Sequence, residues 1–245
     1  IVRPRSRCPT CKATIAWYDN VPVISWLVLR GRCRRCGATI SPRYVVVELL
    51  GAAAAFLAWQ RHGLSLDALA EFAFVAALIA LAFIDVATWL LPHAITLPLG
   101  AAGLLASAAG VTPAGSIGWS AAGAAAGFAT FALVAWVGKL LAKREALGFG
   151  DVWLLAALGA WLGLAALLPV VLLASIQGSV VGGALVLAGR GQQGPAPGAA
   201  REGEGDWVPP RNAVPFGPFL VAGALEWLYL GATLASLVPA LEVFR

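Results

Sequence analysis

The sequence predicts an all-α polytopic membrane protein with a small basic module at its N-terminus. Of the 245 residues, 60% are hydrophobic and 12% are charged, whereas a water-soluble globular protein carries about 25% charged residues. Most of the basic residues precede residue 44, and long apolar runs follow. These observations exclude a water-soluble globule and predict about seven transmembrane helices behind the basic module.

Residues 1–43 are predicted to form a zinc-ribbon-like module. They contain two CxxC pairs, Cys8 with Cys11 and Cys33 with Cys36. Each pair can offer two thiolates from one tight turn, and two such turns complete a tetrahedral site that suits zinc. Two disulfides are the alternative, which requires an oxidising compartment. The zinc interpretation makes all four cysteines metal ligands.

The basic charge of this module has two interpretations. Its arginines and Lys12 are opposed by a single acid, Asp19. A basic zinc ribbon can bind RNA, but Trp17, Tyr18 and Trp26 are the only nearby aromatic residues that could stack on bases. Attraction to lipid headgroups explains the charge more simply. We therefore expect membrane lipid, and no nucleic acid, as a partner.

The apolar runs after the module predict the membrane-spanning helices. Pro92, Pro113 and Pro169 fall at breaks between runs, where a missing N–H does least harm. The stretch 189–212, rich in glycine and proline, is predicted to be a flexible loop, so that 44–245 forms one membrane domain. The predicted spans are Tyr44–Trp59, Ala68–Leu90, His93–Val111, Ile117–Leu141, Val152–Leu168, Pro169–Ala188 and Val214–Ser236.

The distribution of charge predicts the orientation. A cytoplasmic module places the loops at 139–145 and 189–212 on the same side of the membrane. Every lysine and arginine except Arg61 and Arg245 is then cytoplasmic, as the positive-inside rule requires. The reducing cytoplasm in turn favours zinc over disulfides.

Two acids lie where a charge is costly. Asp85 is inside the second predicted span, and Asp151 ends the sequence Gly148-Phe149-Gly150-Asp151 at the start of the fifth. Helix capping would explain Asp151 but not Asp85. Both acids fall near the cytoplasmic side in the predicted topology, where they could act together as general acid and general base. The alternatives are a non-enzymatic binding or assembly protein held together by these acids, and a transporter that relays protons.

Three GxxxG spacings predict close helix packing. They are Gly123 with Gly127, Gly159 with Gly163 and Gly178 with Gly182. Small residues one turn apart allow helix backbones to approach closely in a membrane. We expect these contacts within the chain rather than in a dimer.

The chain resembles the bacterial prepilin peptidases, or type IV leader peptidases, over nearly its whole length. The matching motifs occur in the order of the family: Cys8-Pro9-Thr10-Cys11, Trp17-Tyr18-Asp19-Asn20-Val21-Pro22-Val23-Ile24-Ser25-Trp26, Arg30-Gly31-Arg32-Cys33, Cys36, Ile40-Ser41-Pro42-Arg43-Tyr44, Val47-Glu48-Leu49-Leu50, Ile84-Asp85, Leu91-Pro92, Leu97-Pro98, Gly148-Phe149-Gly150-Asp151, Leu154-Leu155-Ala156-Ala157-Leu158-Gly159-Ala160-Trp161 and Val214-Pro215-Phe216-Gly217-Pro218-Phe219. This set is far more specific than a lone GxGD.

The resemblance implies an aspartic protease of the bacterial inner membrane. Such an enzyme removes the short basic leader from type IV prepilins and type II secretion pseudopilins at the cytoplasmic face, here with Asp85 and Asp151 as catalytic residues. Many members also N-methylate the new terminus with S-adenosylmethionine, an activity linked to a glycine that matches Gly31. The family usually begins with a further transmembrane helix, which we expect to be missing here.

The sequence departs from the family at two positions near the predicted site. His93 stands where the family commonly has Asp or Asn after the proline. Trp153 replaces the lysine usual two residues after the GxGD aspartate. Losing that lysine removes a cation from the neighbourhood of Asp151.

Overall fold

The predicted all-α fold is confirmed. The computed structural model describes residues 6–142, 147–188 and 214–244, and these residues form eight α-helices and two 3-10 helices. The described residues contain no β-strand beyond two isolated bridges, Arg7 with Thr14 and Arg32 with Thr39. The chain divides into two compact units, Ile1–Gly63 and Leu64–Arg245.

The first unit carries the four cysteines. It contains a 3-10 helix at Trp17–Asn20 and helices α1 (Ile24–Val28) and α2 (Arg43–His62). Helix α2 ends at Gly63, whose φ of 65° is a conformation that favours glycine. The backbone N–H of Val23 donates to Glu48 Oε2 over 2.8 Å, which ties the start of α1 to α2.

The second unit contains the remaining helices, in the order that hydropathy predicts. They are α3 (Leu66–Thr88), α4 (His93–Ala108), α5 (Ile117–Ala142), α6 (Phe149–Leu162), α7 (Leu167–Leu187) and α8 (Gly217–Leu237), followed by a 3-10 helix at Pro239–Phe244.

Seven of these helices correspond to the seven predicted spans. Helices α2, α3, α5, α7 and α8 are long and apolar enough to cross a membrane. Helices α4 and α6 are apolar but shorter, with 16 and 14 residues. The predicted loop at 189–212 lies outside the described residues.

The fifth predicted span, Val152–Leu168, has the wrong limits. Helix α6 begins three residues earlier, with Gly148 as its N-cap, so it includes Asp151. It stops at Gly163, which adopts φ 83°. The turn after Gly163 lets α7 begin at Leu167 rather than at Pro169. Hydropathy cannot locate this turn, because the apolar composition continues through it.

Helix α6 is the centre of the second unit. Its residues from Asp151 to Leu162 are buried apart from the half-buried Trp153. Trp161 stacks on Phe74 of α3 at 4.8 Å between ring centroids, and its indole N–H donates to the Leu99 carbonyl of α4 over 2.8 Å. The Ser120 hydroxyl of α5 donates to the Ala160 carbonyl over 2.5 Å. These contacts fix the position of α6 and therefore of Asp151 near its start.

Two of the glycine pairs allow α5 and α6 to pack backbone to backbone. Gly123 and Gly159 face each other so closely that a Cβ on either would overlap the backbone of the other. A Cβ at Gly127 would lie 2.6 Å from the Leu155 carbonyl oxygen. The predicted close approach within the chain is therefore confirmed for these helices.

Candidate aspartate pair and four-cysteine site

The structure brings Asp85 and Asp151 to the same end of the helix bundle. Asp85 lies in the last turn of α3 and Asp151 in the first turn of α6. Their exposed fractions are only 5% and 8%, and the two carboxyl groups are close enough to interact electrostatically. Two neighbouring buried acids are costly unless they serve a reaction or a ligand.

Asp151 is not the helix cap. The N-cap of α6 is Gly148, and no side chain accepts a capping hydrogen bond there. Asp151 occupies the third helical position, and its own backbone N–H donates to the Gly148 carbonyl over 3.1 Å. The capping explanation for this acid is therefore wrong. Its carboxylate still benefits from the positive end of the α6 dipole.

Gly217, the first residue of α8, contacts Asp85 directly. Its backbone N–H faces the Asp85 carboxylate. A Cβ at this position would lie 2.5 Å from Asp85 Oδ2, so only glycine allows this contact. Helix α8 is thus the third helix of the site, a role that the sequence patterns do not predict.

Leu91 joins the three helices that carry the site. A Cβ at Gly150 would lie 2.8 Å from Leu91 Cβ, and a Cβ at Gly217 would lie 3.3 Å from Leu91 Cδ1. Leu91 is 7% exposed and follows α3 by three residues. The second glycine of the GxGD sequence is therefore needed for packing beside the acid rather than for its backbone angles.

The two residues that depart from the family lie in one aromatic cluster. The His93 ring is 6.4 Å from that of Trp153 and 6.3 Å from that of Phe149. Phe128 of α5 packs on Trp153 at 4.9 Å. The cluster thus packs rings of α4 and α5 against the first turns of α6. Trp153 contributes an aromatic contact to it where the family usually has a positive charge.

The four cysteines form one cluster. The Sγ atoms of Cys8, Cys11, Cys33 and Cys36 all lie within 4.8 Å of one another, and none is in a disulfide. The Sγ atoms of Cys8 and Cys36 are 3.9 Å apart. Tetrahedral zinc with Zn–S bonds of about 2.3 Å holds its sulfurs about 3.8 Å apart. The donor set and spacing fit a four-thiolate metal site.

The two cysteine turns are built alike. In the first, the N–H of Cys8 donates to the Ala13 carbonyl, and in the second that of Cys33 donates to the Ala38 carbonyl, over 2.9 and 2.8 Å. Backbone N–H groups of Cys11 and Thr10 lower the pKa of the Cys8 thiol to about 6. Those of Cys36 and Arg35 likewise lower the pKa of Cys33. Backbone donors aimed at sulfur favour thiolate, the form that binds metal.

The structural similarity of the two cysteine turns corresponds to a repeat in the sequence, which the number and spacing of the cysteines alone do not reveal. Arg7-Cys8-x-x-Cys11-x-Ala13-Thr14-Ile15 recurs 25 residues later as Arg32-Cys33-x-x-Cys36-x-Ala38-Thr39-Ile40. The isolated bridges of the fold, Arg7 with Thr14 and Arg32 with Thr39, are equivalent positions of this repeat.

Asp19 and Gly31 hold the second turn in place. Arg34, between Cys33 and Cys36, makes two hydrogen bonds of 2.8 and 2.7 Å to the Asp19 carboxylate. This ion pair lowers the pKa of Asp19. Gly31 is buried with φ 66°, and a Cβ there would lie 2.9 Å from the Trp26 indole. Its carbonyl accepts the N–H of Ile40 over 2.7 Å, which closes the turn.

Comparisons with known proteins agree with this architecture. Residues 1–62 match the bacterial peptidase A24 N-terminal domain, and residues 72–183 match the type IV leader peptidase family. The chain is 39% identical to the prepilin leader peptidase/N-methyltransferase of Myxococcus xanthus, over 98% of this chain and 85% of that protein.

Relatives from other bacteria have the same name. Identity is 42% to the Burkholderia pseudomallei protein, over 93% of this chain and 68% of the relative, and 41% to that of Aeromonas hydrophila, over 91% and 72%. No solved structure matches the chain significantly. The identities and their coverage establish that the chain belongs to the type IV leader peptidase family.

Proposed function

We propose that this protein is a membrane aspartic endopeptidase that removes the leader peptide from type IV prepilins and type II secretion pseudopilins. The observation that carries the proposal is the pair of buried acids, Asp85 and Asp151, which lie near each other at one end of the bundle in a chain of this family. The catalytic residues are these two acids.

The pair can carry out peptide hydrolysis without a further group. One carboxylate takes a proton from water as the water oxygen bonds to the scissile carbonyl carbon. The other, protonated at the start, gives its proton to the leaving nitrogen as the C–N bond breaks. The products are a carboxylic acid and a free amine, which then take up their usual ionisation states in water. The pair gains one proton from water and gives one to the leaving nitrogen, so its total proton count is unchanged and the two acids have exchanged protonation states.

Gly217 lies against one member of this pair. Its backbone packs on the Asp85 carboxylate from the α8 side, and Asp151 is supplied by α6. Such preorganisation positions both carboxylates before the substrate binds. Little reorganisation of the site is then needed during the reaction, which is a main source of rate acceleration in enzymes.

The cysteine cluster is proposed to hold one structural zinc ion through Cys8, Cys11, Cys33 and Cys36. Four clustered thiolates leave no ligand position open for catalysis, so zinc would stabilise the fold of this segment. We assign the cysteine module to residues 1–43 and the peptidase domain to 44–245. The charge distribution supports a cytoplasmic module on the bacterial inner membrane.

Methylation of the new N-terminus, with S-adenosylmethionine as the methyl donor, is the second proposed activity. It rests on the names of the relatives. The environment of Gly31 does not fit a direct contact with the donor, because this glycine is buried against Trp26. Its geometry supports a structural role in the second cysteine turn.

The function is tested by incubating the purified protein, in lipid nanodiscs, with a prepilin. We expect mass spectrometry to show release of the leader and, with S-adenosylmethionine, a methyl group on the new terminus. A prepilin that stays intact with the zinc-loaded, correctly folded protein would contradict the peptidase assignment and favour an inactive assembly protein. Cleavage without methylation would contradict only the second activity.

Gly217→Ala is expected to lower cleavage by about 100-fold, because displacement of a catalytic group by about 1 Å has that effect. The added Cβ would meet Asp85 Oδ2 at 2.5 Å and displace the carboxylate from its position. Gly118→Ala, in the first turn of α5, is the control, since its Cβ would meet only Ser116 Oγ at 3.8 Å. Initial cleavage rates at equal protein concentration decide the matter, and equal rates for the two variants would show that the Gly217 contact is unimportant.

A further inference from the structure

A cavity of about 370 Å³ lies between α7 and the start of α8. Ser175, Ser179 and Gly182 line it from α7, and Phe216 and Phe219 line it from the other side. We call this cavity the α7–α8 groove. Its size is within the range of about 300–1,000 Å³ typical of ligand sites.

The groove lies beside a residue that precedes the aspartate contact. Phe216, which lines it, immediately precedes Gly217, and Gly217 lies against the Asp85 carboxylate. A segment that packs on Phe216 is therefore next to the residue that touches one of the two acids. This proximity distinguishes the groove from an ordinary packing defect between helices.

The groove exists because α7 and the start of α8 separate after Gly178, where a Cβ would still lie 3.5 Å from Phe219 and 3.7 Å from Phe216. Further along, Gly223 of α8 lies so close to α7 that a Cβ there would be 2.7 Å from the Val170 carbonyl oxygen. The Gln177 amide donates to Glu226 Oε2 over 2.7 Å and holds the same two helices together. In contrast, a Cβ at Gly182 would meet no described atom within 4 Å. In the third predicted GxxxG pair, Gly178 thus lies close to Phe216 and Phe219, whereas Gly182 leaves a gap.

The lining of the groove suits an extended peptide. A protease binds the substrate segment around the scissile bond in an extended, non-helical conformation. The backbone N–H and C=O groups of that segment then lack the hydrogen-bond partners that a helix would give them. In the apolar part of a membrane each such group must find a partner in the protein. Ser175 and Ser179 are exposed hydroxyls one helical turn apart, and each can both donate and accept. A lipid acyl chain cannot form hydrogen bonds with these hydroxyls.

We propose that the α7–α8 groove binds the extended prepilin segment beside the scissile bond, with Ser175 and Ser179 as hydrogen-bond partners of its backbone. This inference rests on the proposed function and names the substrate site of the same reaction. The phenyl rings of Phe216 and Phe219 form the opposite wall, against which the apolar side chains of the segment pack.

The test is to fill the groove. The Cβ of Gly182→Leu would meet no described atom within 4 Å, and the rest of the side chain would occupy the cavity. The KM of this variant for prepilin should therefore rise about tenfold or more through lost binding. Gly183→Leu is the matched control. Gly183 also meets no described atom within 4 Å, but it does not line the groove, so its kinetics should match the wild type.

The two serines give an independent readout. Replacing both by alanine should raise KM about threefold to tenfold with a smaller change in kcat, as expected for losing one or two hydrogen bonds. This pair of substitutions decides the question if Gly182→Leu does not fold. A photoreactive residue at position 179 should crosslink to prepilin, whereas one at position 183 should not.

The outcomes separate this inference from the proposed function. A wild-type protein that leaves prepilin intact would contradict the peptidase itself. Cleavage that is normal in Gly182→Leu and in the double serine variant would overturn the groove assignment alone. Crosslinks from position 179 to lipid, or only to the chain's own residues, would overturn it as well.

Discussion

Asp85→Asn and Asp151→Asn are each expected to reduce leader cleavage by about 1,000-fold or more, and the double variant should be no worse than either single variant. Acid and base act in one step, so removing either group leaves the other without its partner. The free-energy losses of the two substitutions should therefore not add. Cleavage rates of the three variants, measured side by side with one prepilin, test this directly.

Asp67→Asn is the control for this experiment. Asp67 lies in the first turn of α3, at the opposite end of the helix that carries Asp85. Removing its charge should leave the cleavage rate unchanged. Substantial cleavage by either single variant of the pair, or losses that add in the double variant, would exclude a shared mechanism for Asp85 and Asp151. All variants must insert in membranes and bind zinc like the wild type for the comparison to hold.

The sequence predicted the helices well because hydropathy is a local property. A run of about twenty apolar residues is sufficient to identify a span wherever the chain later packs. Helix ends are different, since they depend on backbone angles at single residues. Gly163 ends α6 through its φ of 83°, although its neighbours are as apolar as the helix itself.

The sequence predicts the two acids separately, and it indicates only that they could lie close together. Asp85 and Asp151 are conspicuous because each is a charge in an apolar run. Their proximity depends on how α3 and α6 pack, which no local pattern contains. Gly217 belongs to a motif that resembles the family, yet its role appears only when α8 is seen to touch Asp85.

Equal glycine spacings led to unequal packing. Gly123 and Gly127 do bring α5 against α6, as the spacing predicts. Gly178 and Gly182 have the same spacing, but Gly182 opens to the α7–α8 groove. The spacing states only that a close approach is permitted. Whether a helix fills the space is decided by the rest of the bundle, here by the separation of α7 from the start of α8 after Gly178.

Removal of zinc is expected to unfold the cysteine module while the helices of the membrane domain persist. The module has few buried apolar residues, Cys8 among them, so metal–thiolate bonds must supply the stability that a core would give. The purified protein should carry one zinc per chain by elemental analysis. Cys33→Ser, which removes one thiolate from the second turn, should lower that value to near zero.

Unfolding confined to the cysteine module would distinguish a zinc ion that stabilises this module alone from one that the whole protein needs in order to stay folded. Hydrogen exchange should show that backbone amides at 6–43 lose protection on chelation, whereas those of α6 keep it, because α6 is stabilised by buried contacts with α3, α4 and α5. Thr10→Ala is the matched control. It leaves in place the backbone N–H that faces Cys8, so zinc content should not change. A protein without stoichiometric zinc, with its cysteines paired as disulfides in non-reducing mass spectrometry, would contradict both the metal site and the cytoplasmic position of the module.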